Sequence, residues 1–312
     1  MISVTSKTLQ DLEFHTILHT ISERCNTDLG KQKALEITPF KDEASLLPVL
    51  NQTSEYLASF TNNNAIPNHG FEAIAKELQL LNIEDSYLDV ASFHKISGLT
   101  ATAITLLQFL DKFKEYYPAL YTKSSQLNIV KAIIKHIDEI FDKYGEVKDN
   151  ASPDLLNIRR NIQLLRGKIN QSFGLALSQY NSAGYLDDIK ETVVDNRRVL
   201  AVLAMYRKKV KGPILGSSKT GSIIYIEPEA TFRYASEFNQ LEYEEREEII
   251  RILKQLTNTI RPYRLDLASY QEFLSDIDVV AAKAKYAHKI NAILPQITNE
   301  KRLYFRDAFH PI

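Results

Sequence analysis

The sequence has 312 residues, 44% of them hydrophobic and 25% charged, with a formal net charge of −1. This length allows two or three structural units with a sizeable core, and the composition is that of an ordinary soluble protein. Cys25 is the only cysteine, which excludes an intramolecular disulfide and a thiolate metal cage. No signal-peptide pattern is visible and no window approaches about 18 apolar residues, so a cytoplasmic location is expected.

The first 145 residues carry helical patterns separated by short breakers and predict an all-α bundle. One helix is expected around Leu9–Ile21, and others after Asp42, over 89–117 and over 129–141. The segment 61–69 is rich in Asn and reads as a loop. The sequence contains only ten Gly and ten Pro, which favours long uninterrupted elements, and helices are the expected kind.

A long helix is predicted to begin at Ser152, an N-cap residue, with Pro153 and Asp154 suited to the first turn. Apolar residues spaced three or four apart continue to about residue 181, which gives about 28 residues or about 42 Å. A second helix with a similar seam is predicted over 230–260, about 31 residues long. Two helices of matched length predict an antiparallel arm, and Pro262 is expected to bend the chain into a returning helix.

The insert between these helices, residues 187–227, changes from helical to alternating periodicity. It predicts two strand pairs, one around an Asp195-Asn196 turn and one around residues 218–221, that form a small antiparallel sheet. Gly212, Gly221 and Pro228 are expected at structural turns, and Gly221 is expected to allow positive φ.

The stretch KGPILGSSKTGSIIYIEP (residues 211–228) has glycines five apart with a lysine between them, as in a phosphate-binding loop. A Walker A loop, however, places lysine directly after the last glycine and continues into a helix. Here Gly221 is followed by Ser222 and a strand pattern. A hairpin turn is therefore the favoured interpretation.

Positive charge is concentrated in one part of the chain. Residues 157–222 contain twelve Lys or Arg and four Asp or Glu, a net charge of +8, and YRKKVKG (206–212) is the densest cluster. Two interpretations are open: the cluster binds phosphate backbones without reading bases, or it is a solvated strand edge protected by lysines. The candidate nucleic-acid contacts are Arg197, Arg198, Arg207, Lys208, Lys209, Lys211 and Lys219.

Other candidate sites are weaker. The glutamates of 237–248 could repel nucleic acid or pair with the basic outgoing helix, but a solvated helix face is favoured. His15 and His19 are four residues apart without a third ligand at metal-binding spacing. No catalytic constellation stands out, so the chain itself is not expected to be an enzyme.

Four stretches resemble the MutS superfamily, in particular its second bacterial branch, the MutS-II endonucleases that suppress recombination. They are LEFHTILHTISERCNTDLGKQKALEITP (12–39), GEVKDNASPDLLNIRRNI (145–162), YRKKVKGPILGSSKTGSIIYIEP (206–228) and LYFRDAFHPI (303–312). In this order they are similar to the branch's opening, the signature before its first long arm, its clamp, and the strand that opens its ATPase domain. Gly216 and Ile223 depart from the acidic residue and the threonine common in that clamp.

The resemblance implies a lever region whose long helices carry a clamp that closes around nucleic acid. It also implies a longer, homodimeric parent ATPase that binds ATP and Mg²⁺, with a nuclease domain as an optional addition. This chain is then expected to be a fragment of that parent without cofactors of its own. Double-stranded or branched DNA is the expected partner, in DNA repair or suppression of recombination. The alternative is a scaffold that docks on a protein or on collided ribosomes, with RNA as a possible contact and no membrane partner.

The predicted fold is thus mainly α: a helical lever bundle with a long antiparallel helical arm capped by a small antiparallel β clamp. Residues 1–150 are predicted to form the lever core and 151–262 the arm, with the β part over about 187–228. Residues 263–312 are predicted to form the returning helix and the first strand of the ATPase domain.

Overall fold

The computed structural model describes residues 4–298, 300, 302–306 and 308–312. These residues form eleven α-helices and one four-stranded antiparallel sheet, which confirms the predicted fold class. The chain divides into a helical unit, Met1–Glu146 with Leu253–Ile312, and an arm-and-clamp unit, Val147–Ile252. The boundaries at 150 and 262 stay predictions, and parts of the two terminal predicted segments, residues 1–3, 299, 301 and 307, lie outside the described residues.

The helical unit contains nine of the helices. The helix expected around Leu9–Ile21 is divided in two, because Glu13 takes a left-handed conformation with φ 51°. The helices are α1 (Ser6–Asp11), α2 (Phe14–Ser22), α3 (Asp28–Leu35), α4 (Glu43–Ala58), α5 (Ala75–Leu80), α6 (Val90–Lys112), α7 (Pro118–Ser124), α8 (Ala132–Ile140) and α11 (Arg264–Lys289). The described residues of the predicted first ATPase strand lie in neither a helix nor a strand.

Helices α6 and α11 supply much of the core of this unit. Ten residues of α6 and thirteen of α11 are buried. By length and composition, α6 is the one described helix that could cross a membrane. The absence of long apolar windows in the sequence did not predict such a helix. Half of that apolar window is buried inside the protein, as is usual for the core helix of a folded domain.

A buried carboxylate fixes the start of α3 against α11. Asp278 is fully buried and accepts hydrogen bonds from the backbone N–H groups of Asn26 (2.9 Å) and Thr27 (2.8 Å) and from the Thr27 hydroxyl (2.7 Å). The negative charge lies at the positive end of the helix, where it is stabilised. Gly30 leaves the room for it, since a Cβ there would lie 2.3 Å from the carboxylate Oδ2.

Replacing Gly30 by alanine is therefore expected to lower the free energy of unfolding by about 2–3 kcal/mol, because either the carboxylate or α3 must shift. Gly98→Ala is the matched control, since a Cβ at Gly98 would meet nothing within 4 Å. The control should leave stability unchanged or raise it by up to about 1 kcal/mol. Urea unfolding followed by circular dichroism measures both, and equal effects of the two substitutions would contradict this account.

The arm of the second unit is built from two long helices. Helix α9 spans Pro153–Ser182, 30 residues, and the Ser152 side chain accepts the Leu155 N–H at 3.0 Å, so the predicted N-cap is confirmed. Helix α10 spans Glu229–Ile260, 32 residues, and its last turns belong to the helical unit. The predicted break at Pro262 is a short 3₁₀ turn, Arg261–Tyr263.

The N-cap serine also connects α9 to α10. Its hydroxyl donates to the Glu248 carboxylate, which is buried and accepts two further hydrogen bonds from Arg251, both at 2.6 Å. The bonds from Arg251 and then from Ser152 hold the pKa of Glu248 below its usual value despite its burial. One hydroxyl thus satisfies a helix end and a buried charge together.

Ser152→Ala is expected to destabilise the arm-and-clamp unit by about 1–3 kcal/mol, because the cap and one partner of a buried carboxylate are lost together. Ser236→Ala, at an exposed serine on α10, is the control and should change stability by less than about 0.5 kcal/mol. Urea denaturation is again the measurement. A Ser152 variant as stable as the control would show that the cap contributes nothing.

The four strands lie between α9 and α10 in the sequence: β1 (Leu186–Val194), β2 (Arg197–Leu203), β3 (Ile214–Ser217) and β4 (Ile223–Ile226), in the order β1-β2-β4-β3. Both predicted hairpins form, and Asp195 and Asn196 take the positive φ angles of the first turn. The predicted second strand is too long, because Ala204–Lys209 form a 3₁₀ helix. Phe173 of α9 packs with Leu200, Val202, Val210 and Ile226 as the core beneath the sheet.

Candidate nucleic-acid interface

Two basic segments meet at one end of the sheet. Strand β2 ends where β4 begins, with Leu203 opposite Ile223, and the Ala204 N–H donates to the Ser222 carbonyl at 2.9 Å. The 3₁₀ helix Ala204–Lys209 therefore starts beside the β3–β4 turn. We call the 3₁₀ helix Ala204–Lys209 and the β3–β4 turn together the tip. Its cations are Lys219 of the turn and Arg207, Lys208 and Lys209 of the 3₁₀ helix, which leads from the turn back towards Lys211.

The β3–β4 turn is a hairpin turn and not a phosphate-binding loop. Gly221 has φ 69°, its N–H donates to the Ser218 carbonyl at 2.9 Å, and the Ser218 N–H donates to the Ile223 carbonyl at 2.9 Å. The chain continues into β4 rather than into a helix. The Thr220 and Ser222 hydroxyls lie 2.8 Å apart on the exposed side, so the turn presents hydroxyl groups beside Lys219.

The four tip cations are available to a ligand. All four are exposed, and within the described residues their side chains make no ion pair or hydrogen bond. Asp187 and Asp188 are the acids at the start of β1. Among the described residues, neither lies within 4 Å of a tip cation as an ion pair. From 196 to 226 the sequence contains seven Lys or Arg and no Asp or Glu, so positive charge dominates this segment.

Arg197 and Arg198, predicted to contact nucleic acid, are engaged within the protein. Arg197 Nη1 lies 3.2 Å from Oε2 of Glu227, a carboxylate that is 2% exposed. Arg198 pairs with Glu191 at 2.7 Å, and its guanidinium carbon lies 4.3 Å from the centre of the Phe173 ring. Both arginines thus contribute to the stability of the sheet.

Lys211 is exposed but lies at the other end of the sheet. Its carbonyl accepts the Glu229 N–H at 3.0 Å, so it is held beside the start of α10. Gly212 follows with φ 148°, and a Cβ there would be 1.8 Å from the Glu227 carbonyl oxygen. Only glycine allows the two chain segments to cross this closely. Pro228, the third predicted turn residue, is buried beside this crossing.

The sequence reasoning missed the apolar side chains of the tip. Tyr206 stacks on Tyr185 with ring centres 4.8 Å apart, and Tyr185 stacks on Tyr180 at 6.4 Å. Met205 precedes Tyr206 and is 78% exposed. The predicted second strand ran to Tyr206 and would have placed Met205 and Tyr206 on opposite faces of the sheet, with the basic cluster beyond it.

The glutamates of α10 do not all form a solvated face. Glu245 pairs with Arg159 of α9 at 2.7 Å, and Glu248 is buried against Ser152. Glu237 and Glu247 are exposed. Part of the acidic stretch therefore pairs with the outgoing helix α9, which the charge pattern alone does not favour.

A mainly helical chain that carries a small basic β-sheet between two long helices has the arrangement implied by the resemblance to MutS-type levers and clamps. No family model matches the chain. Curated proteins named Endonuclease MutS2 are similar to it over nearly its whole length. The proteins from Alkaliphilus oremlandii and Carboxydothermus hydrogenoformans are 27% and 29% identical over 99% of this chain, and that from Symbiobacterium thermophilum is 28% identical over 98%.

These relatives confirm the resemblance to the second bacterial branch of the MutS superfamily. The chain spans 39% of the length of the first two relatives and 38% of the third. The similarity therefore supports a MutS-family region, and the activities of the whole relatives are taken up below as proposals.

The two kinds of cation should differ in their effect on stability. Arg197→Ala is expected to lower the free energy of unfolding by about 2 kcal/mol or more, because Glu227 is left buried without its partner. Lys208→Ala removes an exposed, unpaired charge and should change stability by less than about 0.5 kcal/mol. Urea unfolding of both variants measures this difference. An Arg197 variant as stable as the Lys208 variant would return Arg197 to the ligand-binding candidates.

Proposed function

We propose that the tip binds the phosphate backbone of DNA without sequence specificity, as the clamp of a MutS-type ATPase that acts in DNA repair or suppression of recombination. The observation that carries this proposal is the presence of four exposed cations on the 3₁₀ helix and the adjoining β3–β4 turn, without ion pairs among the described residues. Arg207, Lys208, Lys209 and Lys219 would neutralise phosphates and release counterions.

The chemistry of the tip favours backbone contacts over base readout. Between residues 203 and 223 there is no Asn, Gln, Asp or Glu, the side chains that hydrogen-bond to adenine and cytosine edges in the major groove. Lysines act as point charges, and serine and threonine hydroxyls hydrogen-bond to phosphate oxygens. The turn Ser218–Ser222 would therefore add neutral hydrogen bonds to the ionic contacts.

The name of the relatives, Endonuclease MutS2, describes an activity on nucleic acid and supports the same partner class for this chain. For a longer parent protein we propose ATP and Mg²⁺ as cofactors, a DNA-stimulated ATPase activity, a homodimer and a cytoplasmic location. Arg197 and Arg198 would support the sheet, and Lys211 would add an electrostatic contribution from its other end.

The proposal is tested by reversing the charge of two tip lysines. The 312-residue chain should bind duplex DNA with an affinity that falls with salt, with a log–log slope of about −3 to −4 for four phosphate contacts. Lys208→Glu/Lys209→Glu should weaken binding at least tenfold and reduce the slope by about 2. Fluorescence anisotropy across a salt series measures both quantities.

The matched control is Lys7→Glu/Lys41→Glu in the helical unit, where both lysines are exposed and the net charge changes by the same amount. It should leave the affinity within about twofold. Salt-independent binding, or equal losses in the two double variants, would show that the tip is not the contact. Sedimentation with ribosomes in place of DNA tests the scaffold alternative, which predicts a preference for ribosomes that the tip variants abolish.

A further inference from the structure

One apolar side chain occupies an unusual place at the tip. Met205 is the only methionine after Met1, and it is 78% exposed in the 3₁₀ helix that carries Arg207, Lys208 and Lys209. Single exposed apolar residues are common on protein surfaces and need no special account. This one, however, lies directly beside cations that would bring a polyanion into contact with it.

The backbone that presents Met205 is held firmly on both sides. The residue before it, Ala204, is tied to the β3–β4 turn by its N–H bond to Ser222. The residue after it, Tyr206, stacks on Tyr185 with the rings 28° from parallel and packs against the core beneath the sheet. The methionine is therefore directed outward by a fixed turn, and its own long side chain adapts to what it meets.

An intact duplex offers such a side chain little, because its surface near the phosphates is charged and hydrated. Apolar contact becomes available where bases are unpaired or unstacked, and proteins that bend or open nucleic acid insert residues such as Met or Leu at those steps. Aromatic and apolar groups beside a cationic surface likewise favour unpaired strands. The tip combines an exposed apolar side chain and three cations within the 3₁₀ helix Ala204–Lys209.

We propose that Met205 is a specificity-determining residue of the clamp, which contacts unstacked bases and makes the tip prefer nucleic acid with unpaired nucleotides over continuous duplex. This inference rests on the proposed function, since the cations of the tip supply the affinity that brings the bases within reach. Ile189, which is 69% exposed on β1 and flanked by Asp188 and Lys190, has no such cationic setting and serves as the matched control.

The experiment compares the 312-residue chain on three labelled DNA ligands at one salt concentration: a perfect duplex, the same duplex with a bulge of unpaired nucleotides, and the single strand. The bulged duplex should bind about three- to tenfold more tightly than the perfect one. Met205→Ala should remove this preference and leave affinity for the perfect duplex unchanged. Met205→Leu should retain it, and Ile189→Ala should behave as the unaltered protein.

Two outcomes overturn the inference: a preference that survives in Met205→Ala, or equal losses of that preference in Met205→Ala and Ile189→Ala. A bulged RNA duplex in the same assay shows which nucleic acid supplies the bases, and absence of a preference in both DNA and RNA also overturns it. The failure of the proposed function is separate, because Lys208→Glu/Lys209→Glu would then leave binding to the perfect duplex unchanged.

Discussion

An ion pair between the half-exposed Arg197 and the buried Glu227 joins the start of β2 to the residue after β4, at the end of the sheet away from the β3–β4 turn. Glu227 directly follows β4 and is almost completely buried, and Arg197 at the start of β2 is its ionic partner at 3.2 Å. Beside it, Gly212 passes so close to the Glu227 carbonyl that no side chain fits there. An unpaired carboxylate in this position would be costly to desolvate, so the guanidinium is needed. The glycine is needed for a steric reason, because it lets the two chain segments cross. The paired strands β2 and β4 extend from this ion pair to the opposite end of the sheet, where the 3₁₀ helix begins beside the β3–β4 turn.

Buried or partly buried carboxylates connect the chain at several other points. Asp278 binds the start of α3, and Glu55 binds the start of α7 through the N–H groups of Ala119 and Leu120 at 2.8 and 2.9 Å. In the second unit, Glu248 joins the cap of α9 to α10. Asp278 and Glu55 accept backbone N–H groups at the start of a helix, where intrahelical partners are lacking. Glu248 instead accepts from the Ser152 hydroxyl and from Arg251. Such contacts fix where one element meets another, which apolar packing alone specifies less closely.

The basic residues divide by the same physical criterion. A cation that already neutralises a buried carboxylate or stacks on a core ring is lost to a ligand unless the sheet is disturbed. An exposed and unpaired cation can exchange its counterions for phosphates at little cost. On this criterion the seven predicted contacts separate into four at the tip, two within the sheet, and Lys211 at its other end. The acidic residues follow a similar division, since Glu245 and Glu248 hold the arm together while Glu237 and Glu247 remain at its surface.

The sequence by itself determined the mainly helical class, the start of α9 at Ser152, both hairpin turns and the excess of positive charge. These depend on local preferences: a serine before proline caps a helix, Asp195 and Asn196 accept positive φ, and periodicity distinguishes strand from helix. Only the tertiary structure decided which cations are free, because Arg197 and Glu227 are 30 residues apart in the sequence and meet through strand pairing. It also decided that Ala204–Lys209 form a 3₁₀ helix that presents Met205 and the lysines together. The pairing of β2 with β4 places that 3₁₀ helix beside the β3–β4 turn. These two strands are not consecutive in the sequence, so no single hairpin turn fixes their register.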